Sequence, residues 1–193
     1  SPRRHPPTIG NLITTIIVMA VNIKLHSVNI NGVGPKLAQL NQHLHQHKPH
    51  ILCIQETRYN ANRRLPSFPG YIIFHKPAHG PNAHGLMTLV TTDIQAVQIR
   101  ENTQNTSESL TIKLPHPTNR TQDTQITNIY IPPSTTLPQH MISEHLTLDQ
   151  HYIIGDFNSH NTKWGSHRTD RSEKTLKELV EILDRTTQDT QIT

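Results

Sequence analysis

The chain has 193 residues, enough for one domain with a core of its own. Only 33% of the residues are hydrophobic and 4% aromatic, yet the apolar ones gather in short runs, which favours a folded chain over a disordered one. Eighteen Lys and Arg against 14 Asp and Glu give a net charge of +4, a balance that suits a polyanionic partner, and the single cysteine, Cys53, excludes an internal disulfide.

The opening residues, SPRRHPPTIGNLITTIIVMAV, set basic side chains ahead of an apolar stretch. That stretch is too short to span a bilayer, and no small-residue cleavage site follows it. Residues 1–18 therefore read as flanking or poorly ordered sequence, with Met19 the candidate native start and no membrane partner. A lone cysteine inside an apolar run favours a reducing, intracellular setting, where Cys53 serves as a small buried hydrophobe.

Residues 23–31, IKLHSVNIN, read as a strand ending in amides. Residues 36–47 carry Leu37, Leu40 and Leu44 at helical spacing, behind a Pro35 suited to a helix start. Residues 51–56 read as a second buried strand, closing on Glu56. Further strands are expected at 71–75, 85–91, 95–100 and 110–114, and one over 124–131 that must stop at Pro132 and Pro133. A short helix over 141–148, a strand over 151–156 and a helix over 176–183, with Leu176, Leu179, Val180 and Leu183 on one face, complete the pattern. Strands alternating with helices, and consecutive strands in the middle, predict an α/β sandwich with mixed sheets.

One string, TQDTQIT, stands at 121–127 and again at 187–193. It is too short to be a supersecondary repeat, so residues 186–193 read as a tail outside the fold.

Four expected strands end in groups suited to phosphate and metal chemistry: Asn29 with Asn31, Glu56, Tyr130, and Asp156 with Asn158. Carboxylate oxygens suit Mg²⁺, while amides and a phenol can hydrogen-bond a phosphoryl oxygen without adding negative charge. The ends of neighbouring strands in an α/β sheet can converge on one site. Any one of these residues taken alone reads as a turn former. Glu56 is harder to dismiss, because a carboxylate closing an Ile-Leu-Cys-Ile run needs a partner or a metal. The recurrence at four strands is the signal.

The stretches Asn29-Ile30-Asn31-Gly32, Cys53-Ile54-Gln55-Glu56-Thr57, Asn128-Ile129-Tyr130-Ile131-Pro132-Pro133 and Gly155-Asp156-Phe157-Asn158 resemble, in order, successive motifs of the endonuclease/exonuclease/phosphatase superfamily. QETR, YIPP and GDFNSHNTKWGS, closed by Trp164-Gly165-Ser166, resemble more narrowly the endonuclease domain of non-LTR retrotransposons of the jockey and R1 type. The resemblance covers about residues 21–183, within a domain expected over 19–185.

It implies a DNase I-like four-layer α/β sandwich and Mg²⁺-dependent cleavage of DNA phosphodiesters, with Mn²⁺ the alternative ion. Glu56 would hold the metal with Asn29 beside it, Asp156 would position or deprotonate the attacking water, Asn158 would contact the scissile phosphate, and Tyr130 would serve the phosphate or leaving-group side. The implied partners are double-stranded DNA and a reverse transcriptase domain of the parent polyprotein, the chain acting as a monomer in the nucleus. The superfamily's last motif, Ser-Asp-His, does not occur in these 193 residues, so the fold is expected without its last strands.

Three functions stay open at this stage: a DNA endonuclease, a non-catalytic DNA-binding remnant, and a phosphoesterase acting on a small phosphate ester. Arg58, Lys163 and Arg168, with Arg63, Arg64 and Arg171, fall in loops where they could touch DNA phosphates, though each alone reads as a solvated charge. His43, His45, His47 and His50 invite a zinc reading, but no Cys or acid stands near them in sequence, and solvated helix positions fit better. Gly85, after His84, reads as structural, and Trp164 as packing its loop against the core.

Overall fold

The computed structural model describes residues 16–18, 23–80, 83–116, 123–133, 135, 138, 140–141 and 151–158. Two mixed β-sheets face one another. The first contains β1 (Ile16–Val18), β2 (Ile23–Asn29), β3 (Ile51–Gln55), β4 (Tyr71–Lys76) and β5 (Leu86–Thr91), in the order β1-β2-β3-β5-β4. The second contains β6 (Val97–Gln104), β7 (Ser107–Leu114), β8 (Thr124–Tyr130) and β9 (His151–Asp156), in that order. Two pairs run parallel, β2 with β3 and β8 with β9, and the others antiparallel.

The parallel β2–β3 pair needs a crossover, and helix α1 (Leu37–His47) supplies it. A 3-10 turn at Gly34–Lys36, with Pro35 pre-set for helical φ, starts the helix. Lys48 ends it in the left-handed conformation, its N–H donating to the Leu44 carbonyl at 2.9 Å, and Pro49 prevents continuation.

Side chains alternate across each strand, so each sheet has two burial fates. Ile23, Leu25, Ile51, Cys53 and Val90 of the first sheet meet Ile112, Leu114, Ile126 and Ile154 of the second in the central core. The outer face of the first sheet presents Val28, Leu52, Ile54, Met87 and Leu89 to Leu37, Leu40 and Leu44 of α1. On the outer face of the second, Ile129, Ile131, Ile153 and Phe157 pack with Met141.

Several boundaries differ from expectation. Residues 16–18, read as flanking, form β1 and pair antiparallel with β2, Ile16 opposite Leu25. The strands expected at 95–100 and 110–114 are one longer hairpin, closed by Asn105 and Thr106, both at positive φ as a two-residue turn of primed type demands. An Asn-Thr turn is a weaker signal than Asn-Gly, and residues 101–104 of the exposed edge strand β6 carry no apolar side chain to reveal them. The helices expected at 141–148 (beyond Met141) and 176–183, and the second TQDTQIT, lie outside the described residues. No helix among the described residues is long and apolar enough to cross a membrane.

Candidate active site

The C-terminal ends of β2, β3, β8 and β9 open at the same end of the sandwich, between the sheets. Asn29 closes β2 on its inward face, and its Nδ2 donates to Glu56 Oε1 at 2.8 Å and to Asp156 Oδ2 at 2.7 Å. One amide from the first sheet thus holds a carboxylate from each side of the cleft. Its own orientation is fixed by the Asn31 N–H, which donates to Asn29 Oδ1 at 3.1 Å.

Glu56 reaches this point by leaving the strand. β3 ends at Gln55, one residue earlier than the sequence suggested, and strict alternation would turn Glu56 toward the helix layer. Instead Glu56 takes φ +51°, which breaks the alternation at the site. Asn31, Arg58 and Asn158 are also left-handed, at φ +45°, +53° and +43°. Non-glycine residues in that region are uncommon, and they cluster where surrounding contacts over-determine the backbone.

Glu56 is surrounded by donors. Arg58 Nη2 lies 3.1 Å from Oε2, the Tyr130 hydroxyl donates to the carboxylate, and His84 Nδ1 stands 3.6 Å from Oε2. Burial pushes the Glu56 carboxyl up, but the hydrogen bonds from Asn29 and Tyr130, with His84 and Arg58, outweigh it and leave the group below its ordinary range. Tyr130 moves oppositely: burial, then its bond to Glu56, raise the phenol, so it stays a protonated donor.

Asp156 ends β9, where Gly155 makes its position attainable. A Cβ at Gly155 would overlap the backbone of Ile129, so no other residue lets β9 lie this close to β8. Asp156 Oδ1 accepts the Asn158 N–H at 3.0 Å, and Asn158 Nδ2 donates to the Ile131 carbonyl at 2.9 Å. The spacing of two therefore acts through an Asx-type turn; it does not follow from two side chains sharing one strand face.

Sequence reasoning missed the layer beneath. Gln55 Nε2 donates to Asn128 Oδ1 at 2.7 Å and to Ser27 Oγ at 3.0 Å, and Asn128 Nδ2 donates to the carbonyls of Ile54 and Met87 at 3.2 and 2.9 Å. This fully buried pair of amides ties the two sheets together under the polar residues. Its signal was legible: amides at inward positions of otherwise apolar strands. His84, passed over beside Gly85, also belongs here, its ring 4.6 Å from that of Tyr130.

The structure thus brings Asn29, Glu56, Tyr130 and Asp156 together, with Asn158 adjoining and Arg58 on the exposed rim. Lys163 and Arg168, with Arg171 and Trp164, lie outside the described residues. Among the described residues no group of three or more His, Cys, Asp or Glu has the arrangement to hold a metal ion. Mg²⁺ needs less, since it binds through one or two carboxylates and completes its shell with water and phosphate oxygen. Glu56 and Asp156, drawn onto one amide, fit that requirement.

A family model described as the endonuclease/exonuclease/phosphatase family matches residues 26–190. The chain belongs to that family. Solved structures similar to this member of the endonuclease/exonuclease/phosphatase family include the endonuclease domain of TRAS1, a telomere-specific non-LTR retrotransposon. There the TM-score is 0.58 at 19% identity, over 82% of this chain and 71% of that one. The AP endonuclease LMAP from Leishmania major gives 0.67 at 15%, over 89% and 72%. An AP endonuclease from Archaeoglobus fulgidus gives 0.55 at 16%, over 83% and 70%. At these identities the likeness is one of fold, the DNase I-like α/β sandwich of this family. A search of curated protein sequences finds no match.

Proposed function

We propose that this chain is a divalent-metal-dependent endonuclease that hydrolyses phosphodiester bonds in double-stranded DNA, the target-nicking domain of a non-LTR retrotransposon. Family membership over residues 26–190 supports the reaction class, and the QETR, YIPP and GDFNSHNTKWGS stretches support the narrower reading. The observation that carries it is the Asn29 amide shared between Glu56 and Asp156, at 2.8 and 2.7 Å. That bridge sets two hard-oxygen donors side by side across a cleft open to solvent.

Glu56, with Asp156 across the amide, would hold Mg²⁺ or Mn²⁺; such an ion, when bound, compensates the negative charge that grows on the phosphate. The protein's own part is positional. Asp156, oriented through both oxygens by Asn29 and by the Asn158 N–H, holds and deprotonates the attacking water. Tyr130, kept protonated by burial and by Glu56, would turn its single O–H from Glu56 to a phosphate or leaving-group oxygen when DNA is bound. Asn158 contacts the scissile phosphate, and the exposed Arg58 guanidinium, with Lys163 and Arg168, meets flanking phosphates. A reverse transcriptase domain in the parent polyprotein, action in the nucleus and a monomeric state belong to the same reading.

A second reading, a DNA-binding domain without catalysis, draws on the net charge of +4 and the exposed Arg58 guanidinium, which suit a polyanion and require no chemistry. The test is relaxation of supercoiled plasmid in Mg²⁺ or EDTA by the parent chain, Glu56→Ala and Asp156→Ala, with duplex binding measured alongside. Mg²⁺-dependent nicking abolished in both variants supports the nuclease. Salt-sensitive binding without nicking at any Mg²⁺ concentration supports the second reading. Release of phosphate from small esters in preference to nicking refutes both.

A further inference from the structure

A buried ion pair lies behind the site and faces it. Glu108 of β7 is 1% exposed, and Lys76 at the end of β4 is 4% exposed. Their charged atoms, Nζ and Oε1, are 3.1 Å apart. An ion pair removed from water is weak evidence for a role in stability, because desolvation opposes the attraction. What distinguishes this one is the second carboxylate oxygen. Glu108 Oε2 accepts the backbone N–H groups of both His84 and Gly85, each at 3.0 Å.

The same short turn is held from its other side. The His84 carbonyl accepts the Arg58 N–H at 2.8 Å and the Gly85 carbonyl accepts the Thr57 N–H at 3.1 Å. Those two amides belong to the segment that follows Glu56 directly. Gly85 sits at φ +76°, and a Cβ there would meet Thr57 Oγ1 at 2.5 Å, so the turn admits only glycine at this place. Glu108 also stands directly opposite Tyr130 in the β7–β8 register. A single carboxylate therefore fixes the backbone of His84 while its cross-strand neighbour, Tyr130, receives the His84 ring at a centroid distance of 4.6 Å.

We propose that Glu108 is a positioning residue of the active site, its carboxylate clamping the His84–Gly85 turn so that the His84 imidazole backs Tyr130 and Glu56. Lys76 supplies the countercharge that lets a carboxylate stay buried there. The clamp rests on the nuclease reading for its effect on rate, but the ring placement stands apart from it.

Two double variants separate positioning from support of the fold. Lys76→Met with Glu108→Leu removes both charges and the acceptor. Lys76→Met with Glu108→Gln removes the charges but keeps a side-chain carbonyl for the two N–H groups. Both lack a buried unpaired charge and are expected to fold, as circular dichroism and urea unfolding will show. The Met/Leu pair should lower kcat for Mg²⁺-dependent nicking tenfold or more with unchanged affinity for DNA, and the Met/Gln pair should recover to within threefold of the parent. Parental kcat in the folded Met/Leu pair, or no recovery in the Met/Gln pair, overturns the proposal. In parallel, NMR reads the contact between the His84 and Tyr130 rings in all three proteins. The contact should persist in the parent and the Met/Gln pair and vanish in the Met/Leu pair. If the parent does not nick DNA, the nuclease reading fails and this contact alone decides the clamp, its persistence in the Met/Leu pair refuting it. Should the Met/Leu pair fail to fold, the Met/Gln pair decides: loss of the ring contact despite the retained carbonyl overturns the clamp, and its retention upholds it.

Discussion

Replacing Asn29 by alanine tests the amide bridge directly. The change removes two charge-assisted hydrogen bonds, at 2.8 Å to Glu56 and 2.7 Å to Asp156, and leaves two carboxylates facing one another. Bonds to charged partners contribute about 1.5–3 kcal/mol each. With the Glu56 side chain 13% exposed and so partly screened, the lower end applies, a total loss of about 3 kcal/mol at neutral pH. For a chain of this size that lowers Tm by roughly 6–12 °C. The loss should depend on pH in a stated sense. Glu56 titrates below its ordinary value of 4.5, so the stability it contributes is full above 4.5 and fades as pH falls through its lower folded value. Urea unfolding of parent and Asn29→Ala should therefore differ most at pH 7, and the difference should narrow as pH falls through the lowered Glu56 value. A difference under about 0.5 kcal/mol at pH 7, or one equally large in acid, refutes the bridge as a stabilising contact.

Gly155→Ala should cost about 3 kcal/mol or more, because its Cβ falls on the Ile129 backbone; soluble yield and urea midpoint report it, and parental stability would contradict the close approach. His26, 3% exposed with Nδ1 2.9 Å from His43 Nε2, has its pKa lowered to about 4 by burial, then by His43. The unfolded chain binds a proton that the native one refuses, so stability should drop by about 2–3 kcal/mol as pH falls from 6.5 to about 4, and His26→Leu should flatten that slope in a urea series. Burial pushes the Cys53 thiol up to about 12, so the native protein should resist a thiol reagent at pH 8 and react only on unfolding; rapid stoichiometric labelling would show the central core to be open.

What the sequence disclosed followed from periodicity and from repetition. Apolar runs located most strands within a residue or two, and α1 was visible in Leu37, Leu40 and Leu44 because a helix facing a sheet must bury one stripe. The polar strand ends were visible because four of them recur. Backbone conformation was not. Nothing in Gln55-Glu56-Thr57-Arg58 announces left-handed residues at Glu56 and Arg58, which tertiary contacts impose against local preference. Cross-sheet partnerships were hidden for the same reason: Glu108 and His84 are 24 residues apart, and only the register that sets Glu108 beside Tyr130 gives them a common purpose. The β6–β7 hairpin was underestimated because residues 101–104, in an edge strand facing water, carry no apolar side chain to extend the Val97 and Ile99 alternation.

The bridge at the mouth joins Asn29 to Asp156 across 127 residues of chain. Both strands that carry the two ends run parallel to their inner neighbours, pairings that close late because a long loop must be ordered first. During synthesis the first sheet and its helix can form while β9 is still unmade, so the nascent chain holds Asn29 and Glu56 but no opposing carboxylate. The paired carboxylates of the proposed site would then be assembled in a single late step, when β9 docks onto β8, and a ribosome stalled before residue 151 would carry the first sheet with Asn29 and Glu56 but without Asp156.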